Sequence, residues 1–325
     1  MFKIALLGAG RIGAIHGLNA AANARLELAI IVDPDPHAAG ALAQKTDARQ
    51  GALEAVLADA SIAGVIVASP TGDHLEHVRR CAAAGKAVLC EKPIDLDLSR
   101  ARAAGADLAG ARLLVGFNRR FDPHFAALET ALKAGDIGAL ESLHIVSHDP
   151  APPPPAYIAR SGGLFKDMTI HDFDMARWLL GEEPHEVFAS ASCLIEPAIG
   201  AAGDVDTART LMRTPSGRLC TISNSRRSGY GYDQRIEVFG SGGMLRAGNV
   251  CQSTVERWDE AGARSAPLEN FFLDRYRDAY RRELDHFAEV LAGATPLVGI
   301  ADAIAALALA EAAGESAKTG KLTRV

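Results

Sequence analysis

The rhythm of hydrophobic and polar positions changes once along the chain. Up to about Phe117, short and nearly continuous apolar runs (KIALLG, ELAIIVD, GVIVAS, AVLCE, RLLVGF) alternate with Ala-rich stretches of helical character. Strands without a polar face, joined by helical crossovers, predict a parallel sheet covered on both sides. From FNRRFDP onward the pattern differs. A helix over residues 123–134 leads into a strand, ESLHIVSHD, and then into PAPPPPAY, a run suited to neither a helix nor a central strand. The segments HEVFASASCLI, DTARTLMRT, RLCTISNSR, QRIEVFG, GMLRAG and TVERWD follow, separated by Gly-containing turns, and predict a largely antiparallel sheet. Helices over 271–291 and 300–317 close the chain, and no internal repeat of fixed period is present. The expected class is α/β, with a doubly wound parallel domain over 1–118. An α+β domain over 119–325 follows, with a large, mostly antiparallel open sheet.

One stretch breaks the usual division of a helix into apolar and solvent faces. SGGLFKDMTIHDFDMARWLLGEE, residues 161–183, reads as a helix that is apolar almost all the way round. Leu164, Phe165, Met168, Ile170, Phe173 and Trp178 leave a single polar stripe of Asp167, His171 and Asp174, with the acid and the imidazole four residues apart.

Composition narrows the partners. The 325 residues are 48% hydrophobic and 23% charged, as in an ordinary globular protein, and the formal net charge is −6. Without a Lys/Arg run there is no clustered cation for a nucleic acid or an anionic membrane, so a small molecule is the expected partner. The N-terminal MFKIALLGAG is too short an apolar run for a signal peptide, and no later run reaches the length of a membrane span, so a cytoplasmic protein is expected. Five scattered cysteines with no C-x-x-C pair suggest reduced, mostly buried thiols rather than a disulfide framework or a zinc site.

The chemistry begins at IALLGAGRIG. Gly8, Gly10 and Gly13 form G-x-G-x-x-G between a strand and a helix, with Arg11 and Ile12 inside the turn. Such a turn suits a pyrophosphate at a helix N-terminus, the fingerprint of a Rossmann domain. Asp33 lies twenty residues beyond Gly13, at the end of the second strand, where a carboxylate accepts from an adenosine ribose. No Arg or Lys follows it to receive a 2′-phosphate, which favours NAD over NADP. Ser69, Pro70 and Thr71 end the next long strand and open a helix at a Thr or Asp cap, with His74 and His77 on that helix. Glu91 and Lys92 end a further strand at the same edge, and Pro93 stops it.

The glycine fingerprint, SPTGDH, EKPI, GFNRRFDP and GGLFKDMTIHDFDMARWLLG occur in an order and spacing similar to the glucose-fructose oxidoreductase / inositol dehydrogenase / MocA family, over essentially the whole chain. DPAPPP and SGGLFKDMTIHDFDMARWL resemble its inositol 2-dehydrogenase branch. The resemblance implies an NAD-dependent oxidoreductase of CH–OH groups whose catalytic set falls on Lys92, Asp167 and His171. It also implies that Ser69 to Thr71, His74, Glu91 and Asn118 belong to the cofactor site, and that the C-terminal sheet serves a homo-oligomer, dimer or tetramer. Chemically, alcohol oxidation needs a base for the hydroxyl proton, a cation near the developing negative oxygen and a hydride acceptor. His171, Lys92 and NAD meet these needs, while Asp167 steers the substrate or the imidazole; no metal is required. Asp149, Asp174 and Tyr232 are expected to meet substrate hydroxyls, with Tyr230 and Tyr232 on one side of an extended segment. The family pattern differs at His148, where an Arg is usual, and at Asp149, where some inositol enzymes carry Asn. The expected substrate is a cyclic polyol, myo-inositol first. Another polyol or an aldose, or a non-catalytic NAD-binding regulator, is the alternative.

Overall fold

The computed structural model describes residues 1–325, the side chains of Pro155 and Ala159 excepted. The chain forms two compact units, Met1–Phe121 with Ala279–Ala305 and Asp122–Asp278 with Ala306–Val325.

The first unit holds a parallel sheet of β1 (Phe2–Leu7), β2 (Leu26–Val32), β3 (Arg49–Gln50), β4 (Ile62–Val67), β5 (Ala87–Glu91) and β6 (Leu113–Gly116), in the order β3-β2-β1-β4-β5-β6. Its crossovers are α1 (Arg11–Ala21), α2 (Pro36–Thr46), α3 (Leu53–Ala58), α4 (Thr71–Ala83) and α5 (Leu98–Leu108). The apolar runs of β1, β4 and β5 are buried throughout their central residues, as expected of strands covered on both faces. Strand order reverses between β1 and β4, and ligands of such sheets bind outside the carboxyl ends at that point. The two-residue β3 was not anticipated, being too short to carry a periodic signal.

The second unit contains α6 (Pro123–Ala134), β7 (Leu140–His148), α7 (Pro155–Ser161), α8 (Ile170–Leu180), β8 (Glu186–Ser192), α9 (Pro197–Ala201), β9 (Thr207–Arg213), β10 (Leu219–Ser225), β11 (Asp233–Gly240) and β12 (Gly243–Ala247). The hairpin of β13 (Glu256–Asp259) and β14 (Gly262–Ser265) and the short α10 (Phe272–Arg275) follow. Helices α11 (Arg277–Leu291) and α12 (Ile300–Thr319) precede the last strand, β15 (Thr323–Arg324). The seven-stranded sheet runs β12-β11-β7-β10-β9-β8-β15, and β7 with β10 is its one parallel pair. The register aligns Phe188, Leu211, Thr221, His144 and Glu237 across one face, and Phe188 and Leu211 are exposed there. Val187, Ala189, Ala208, Met212, Cys220 and Ile222 face the other way and are buried, where α8 packs on β7.

Residues 161–183 are not one helix: Gly162 and Gly163 stand at φ +83 and +82, a π-helical turn spans Phe165–Thr169, and only then does α8 begin. A left-handed pair cannot lie inside a right-handed helix. The last residues of PAPPPPAY open α7, because a Pro in the first turn removes an N–H that has no helical partner anyway. The helix expected over 271–291 breaks at Tyr276 into α10 and α11. From Ala279 on, α11 joins the first unit because a Cβ on Gly64 of β4 would lie 2.8 Å from Leu291 and 2.9 Å from Phe287. All five cysteines are free and three are buried, and burial raises the Cys81 thiol to about 11. No helix among the described residues is long and apolar enough to cross a membrane.

A buried acid anchors the connection from β8 to β9. Asp206 accepts N–H bonds from Leu194, Ile195 and Glu196 at 2.8–3.0 Å and a bond from the Thr207 hydroxyl. Burial, the largest influence, opposes its ionisation, yet together these donors hold the carboxyl down at about 2. Its folded value therefore lies below the unfolded one of about 3.9, so the stabilisation is complete above that value and is lost as pH falls toward 2. Asp206→Asn is expected to cost about 2 kcal/mol at pH 7. Urea unfolding should show the gap from wild type narrowing below about pH 4; a gap independent of pH would refute the role of the charge.

Candidate active site

In the first unit the glycines act through the space they leave. Gly8 stands at φ +97, and a Cβ there would lie 2.4 Å from the Ala68 carbonyl oxygen; one on Gly13 would lie 1.9 Å from the Gly8 oxygen. β1, α1 and the end of β4 close together only without side chains at these positions. Gly10 differs, since its missing Cβ points into open space. Gly10 is also the N-cap of α1, and no side chain caps that helix, whereas Asp35 caps α2 and Asp97 caps α5. First-turn N–H groups next to an open glycine form a cradle for an anion. Asp33 flanks it: its Oδ2 accepts from the Ala9 N–H at 2.6 Å and its Oδ1 from the Asp35 N–H at 2.8 Å. The acid thus braces the glycine turn and keeps lone pairs for a ribose. Arg11 is exposed and Ile12 half-buried at the start of α1. These residues fit a dinucleotide.

The neighbouring loops are tied together. The buried His74 ring places one nitrogen 2.8 Å from the Pro93 oxygen and the other 2.8 Å from the Ser69 oxygen, joining the loop after β4 to the turn after β5. The Ser69 hydroxyl meets His77 Nδ1 at 3.0 Å. The Thr or Asp cap expected for α4 is absent: the extended Pro70 takes the capping position, no side chain caps the helix, and Thr71 opens it. Lys92 is half-buried. Glu91 does not share an outlook with it, because neighbouring strand residues point to opposite sides and the Glu91 carboxylate faces His16, 2.7 Å away. Asn118 is buried in a 3₁₀ turn, and the neighbouring Arg120 pairs with Asp302 at 2.9 Å in a structural role.

In the second unit the π-helical turn carries Asp167, and α8 carries His171 and Asp174. Asp167 is clamped: the Tyr157 hydroxyl donates to Oδ1 at 2.9 Å and Arg226 Nη1 lies 3.6 Å from Oδ2. Arg226 is 1% exposed and sits between Asp167 and Asp204, with its other arm 3.7 Å from Asp204 Oδ2. Asp204 in turn accepts from the Leu164 N–H, and a Cβ on Gly163 would lie 2.7 Å from its carboxylate. The double glycine, the π turn and the buried cation therefore set one local geometry. Below it, Thr169 donates to the Asn224 oxygen at 3.0 Å and Asn224 donates to Asp172 at 2.7 Å. His171 is half-buried. Asp174 is fully buried, 3.7 Å from Arg177 one turn on, so the expected stripe does not continue as an open edge.

Asp149 is half-buried and its N–H donates to the Ser225 oxygen. His148 Nε2 meets the Ser223 hydroxyl at 2.8 Å; burial pushes its imidazole below the ordinary range, and the Asp233 charge opposes that only in part. The two tyrosines do not share a side. Gly231 at φ +122 turns the chain, leaving Tyr230 exposed with its hydroxyl on Asp233 and Tyr232 buried edge-on to Tyr276, with ring centroids 6.0 Å apart. Arg226, Tyr157 and Asp204 escaped sequence reading. Their only trace was an arginine ending an apolar strand, a common surface pattern.

Two family models match. Residues 2–117 fit the oxidoreductase family with an NAD-binding Rossmann fold, and 125–246 fit the GFO/IDH/MocA C-terminal domain. The chain is 48% identical to inositol 2-dehydrogenase of Rhizobium meliloti, over 97% of this chain and 96% of that protein. It is 45% identical to myo-inositol 2-dehydrogenase of Thermotoga maritima, with the same coverage. Among solved structures it is similar to a myo-inositol dehydrogenase from Corynebacterium glutamicum, with TM-score 0.96 and 42% identity over 100% of this chain and 99% of that one. It is also similar to a scyllo-inositol dehydrogenase from Lactobacillus casei with bound NAD(H) and scyllo-inositol, with TM-score 0.92 and 27% identity over 100% and 99% of the two chains.

The clamp on Asp167 has a measurable consequence. Tyr157→Phe removes a hydrogen bond to a charged group, worth about 1.5 kcal/mol at this exposed position, and should lower kcat/KM about tenfold while moving Tm by no more than about 2 °C. Steady-state rates and a thermal melt on one preparation check this; an unchanged kcat/KM would show that the clamp does not organise the site.

Proposed function

This chain belongs to the Gfo/Idh/MocA oxidoreductase family, and on that premise we propose that it oxidises a ring CH–OH of myo-inositol to the 2-keto-inositol with NAD. The observation that carries the reading is the clamped Asp167 on the helical run that bears His171, in a chain whose other unit presents the uncapped glycine cradle and Asp33.

The cradle of Gly8, Gly10, Arg11, Ile12 and Gly13 holds the pyrophosphate and Asp33 the adenosine ribose. NAD, when bound, supplies the carbon that accepts the hydride. His171 takes the hydroxyl proton as the C–H bond gives up its electron pair, then passes that proton to solvent. Lys92 supplies the positive charge that stabilises the oxygen as it becomes an alkoxide. Asp167, held by Arg226 and Tyr157, accepts a hydrogen bond from a substrate hydroxyl and fixes the ring orientation. Asp149 joins the polar lining in this reading, with the buried Asp174 and Tyr232 behind it. Burial keeps the His148 imidazole neutral at pH 7, so its surroundings suit a neutral polyol better than a carboxylate. The exposed row on the seven-stranded sheet, with Phe188, Leu211, Leu219 and Phe239, suits a second copy of the chain, giving a homo-oligomer in the cytoplasm with no nucleic-acid or membrane partner.

If His171 is the base, His171→Ala lowers kcat by about 10² to 10⁴ and leaves NAD affinity within about twofold. NAD titration and initial rates measure the two separately, and a folded variant with wild-type turnover would remove the base from the mechanism. Substrate and cofactor preference give a second check. At about 4 Å, Asp33 repels each charge of a 2′-phosphate by roughly 4 kcal/mol before screening, so kcat/KM with NAD should exceed that with NADP. In a panel of inositol isomers, aldoses and 2-hydroxy acids, an inositol should lead NADH production; a leading hydroxy acid would overturn the pocket assignment.

A further inference from the structure

Behind Lys92 the first unit contains a buried acid that the reaction above does not use. Glu91 ends β5, His16 lies on α1 and Glu283 on α11, and their ligand atoms fall within 4.8 Å of one another. His16 and Glu283 are both 0% exposed. The His16 Nε2 meets Glu91 Oε1 at 2.7 Å, and the Tyr280 ring packs edge-on against His16 with centroids 5.6 Å apart. On the strand next to β5, a Cβ on Gly116 would lie 3.3 Å from Glu91 Cδ, so the missing side chain makes room for that carboxyl. Both oxygens of Glu283 lack a hydrogen-bond partner.

An ionised carboxylate in this position would face a second carboxylate with no donor of its own, which is among the costliest arrangements a protein interior can hold. A proton or a metal ion relieves it. The metal is disfavoured by the 2.7 Å between Nε2 and Oε1, a hydrogen-bonding distance at which the two atoms face each other across a shared proton rather than converging on an ion. Glu91 from β5 and His16 from α1 have polar atoms within 4.8 Å of Glu283, and Tyr280 on the same helix packs on the His16 ring. Burial first, and the Glu91 charge second, push its carboxyl well above the usual range.

We propose that Glu283 is a positioning residue that works as a neutral acid: uncharged, it fills the space beside Glu91 and lets that carboxylate stay on His16, which holds the end of β5 where Lys92 follows. A negative charge on Glu283 would drive Glu91 off His16 and disturb the adjoining lysine. The inference rests on the assignment of Lys92 to catalysis, but its protonation half does not.

The protonation half is tested on the resting protein at pH 7, with 13C-labelled glutamate and no substrate. The infrared difference between wild type and Glu283→Gln should show the loss of one protonated-carboxyl C=O band. No lost band overturns the proposal whatever the protein's substrate. The positioning half is tested by kinetics: Glu283→Gln, a neutral isostere, should keep kcat within about threefold of wild type, while Glu283→Ala, which opens a cavity beside Glu91, should lose at least about tenfold with the KM for NAD within about twofold. Wild-type kcat should also fall at alkaline pH through a step that Glu283→Gln lacks. Equal losses in the Gln and Ala variants would overturn the positioning role. So would a stoichiometric divalent metal found by elemental analysis in wild type and missing from Glu283→Gln.

Discussion

A charge taken out of water must meet an opposite charge or give up its own, and this constraint governs several buried side chains of the molecule. Arg226 follows β10 into a buried position and is tolerated there because Asp167 and Asp204 flank it. Arg275 is buried with Asp122, whose carboxylate also caps α6 through the His124 and Phe125 N–H groups. Glu283 has no such cation and keeps a proton instead. Each solution fixes a side chain by electrostatics rather than by packing alone, and a side chain so fixed has few alternative rotamers. Catalytic groups need that kind of order.

The same logic explains why the two halves of the chemistry rest on different local devices. A phosphate cradle must present bare N–H groups, so α1 is denied the carboxylate caps that α2 and α5 carry, and its turn closes through Gly8 and Gly13, where a side chain would not fit. The half-buried Asp167 is held in one direction instead, by the Tyr157 hydroxyl on one oxygen and Arg226 near the other. The π turn that carries it begins just after two left-handed glycines, and Asp204 grips that segment through the Leu164 N–H. Tyr157 and Arg226 thus meet at the Asp167 carboxylate, and Asp204 ties Arg226 to the start of the π turn.

The sheet of the second unit shows how burial on a single face shapes sequence. Its strands alternate, with Val187, Ala208, Met212 and Ile222 inward and Phe188, Leu211 and Leu219 outward. Outward residues of that size on neighbouring strands cost little only when something covers them, which is the physical reason for proposing a second copy there.

The sequence alone determined what depends on near neighbours along the chain. Apolar runs of period one or two marked five of the six parallel strands and the larger strands of the second sheet. The spacing of Gly8, Gly10, Gly13 and Asp33 marked a dinucleotide turn, and the motifs from SPTGDH to HDFDMARWL pointed to the family that the comparisons support. Tertiary structure decided what depends on residues far apart. Periodicity treats residues 161–183 as one helix because it is blind to the left-handed Gly162 and Gly163, the second of which leaves room for Asp204. It set Tyr230 beside Tyr232 because alternation assumes a straight strand, and Gly231 is not in one. Arg226 reads as an ordinary polar residue after a strand until Asp167 and Asp204 are found around it. Glu283 reads as a solvated helix residue until α11 packs on β4 and brings it against Glu91 and His16. A periodic pattern records which side of an element is apolar. The partner that neutralises a buried charge comes from another element, and only the folded chain brings the two together.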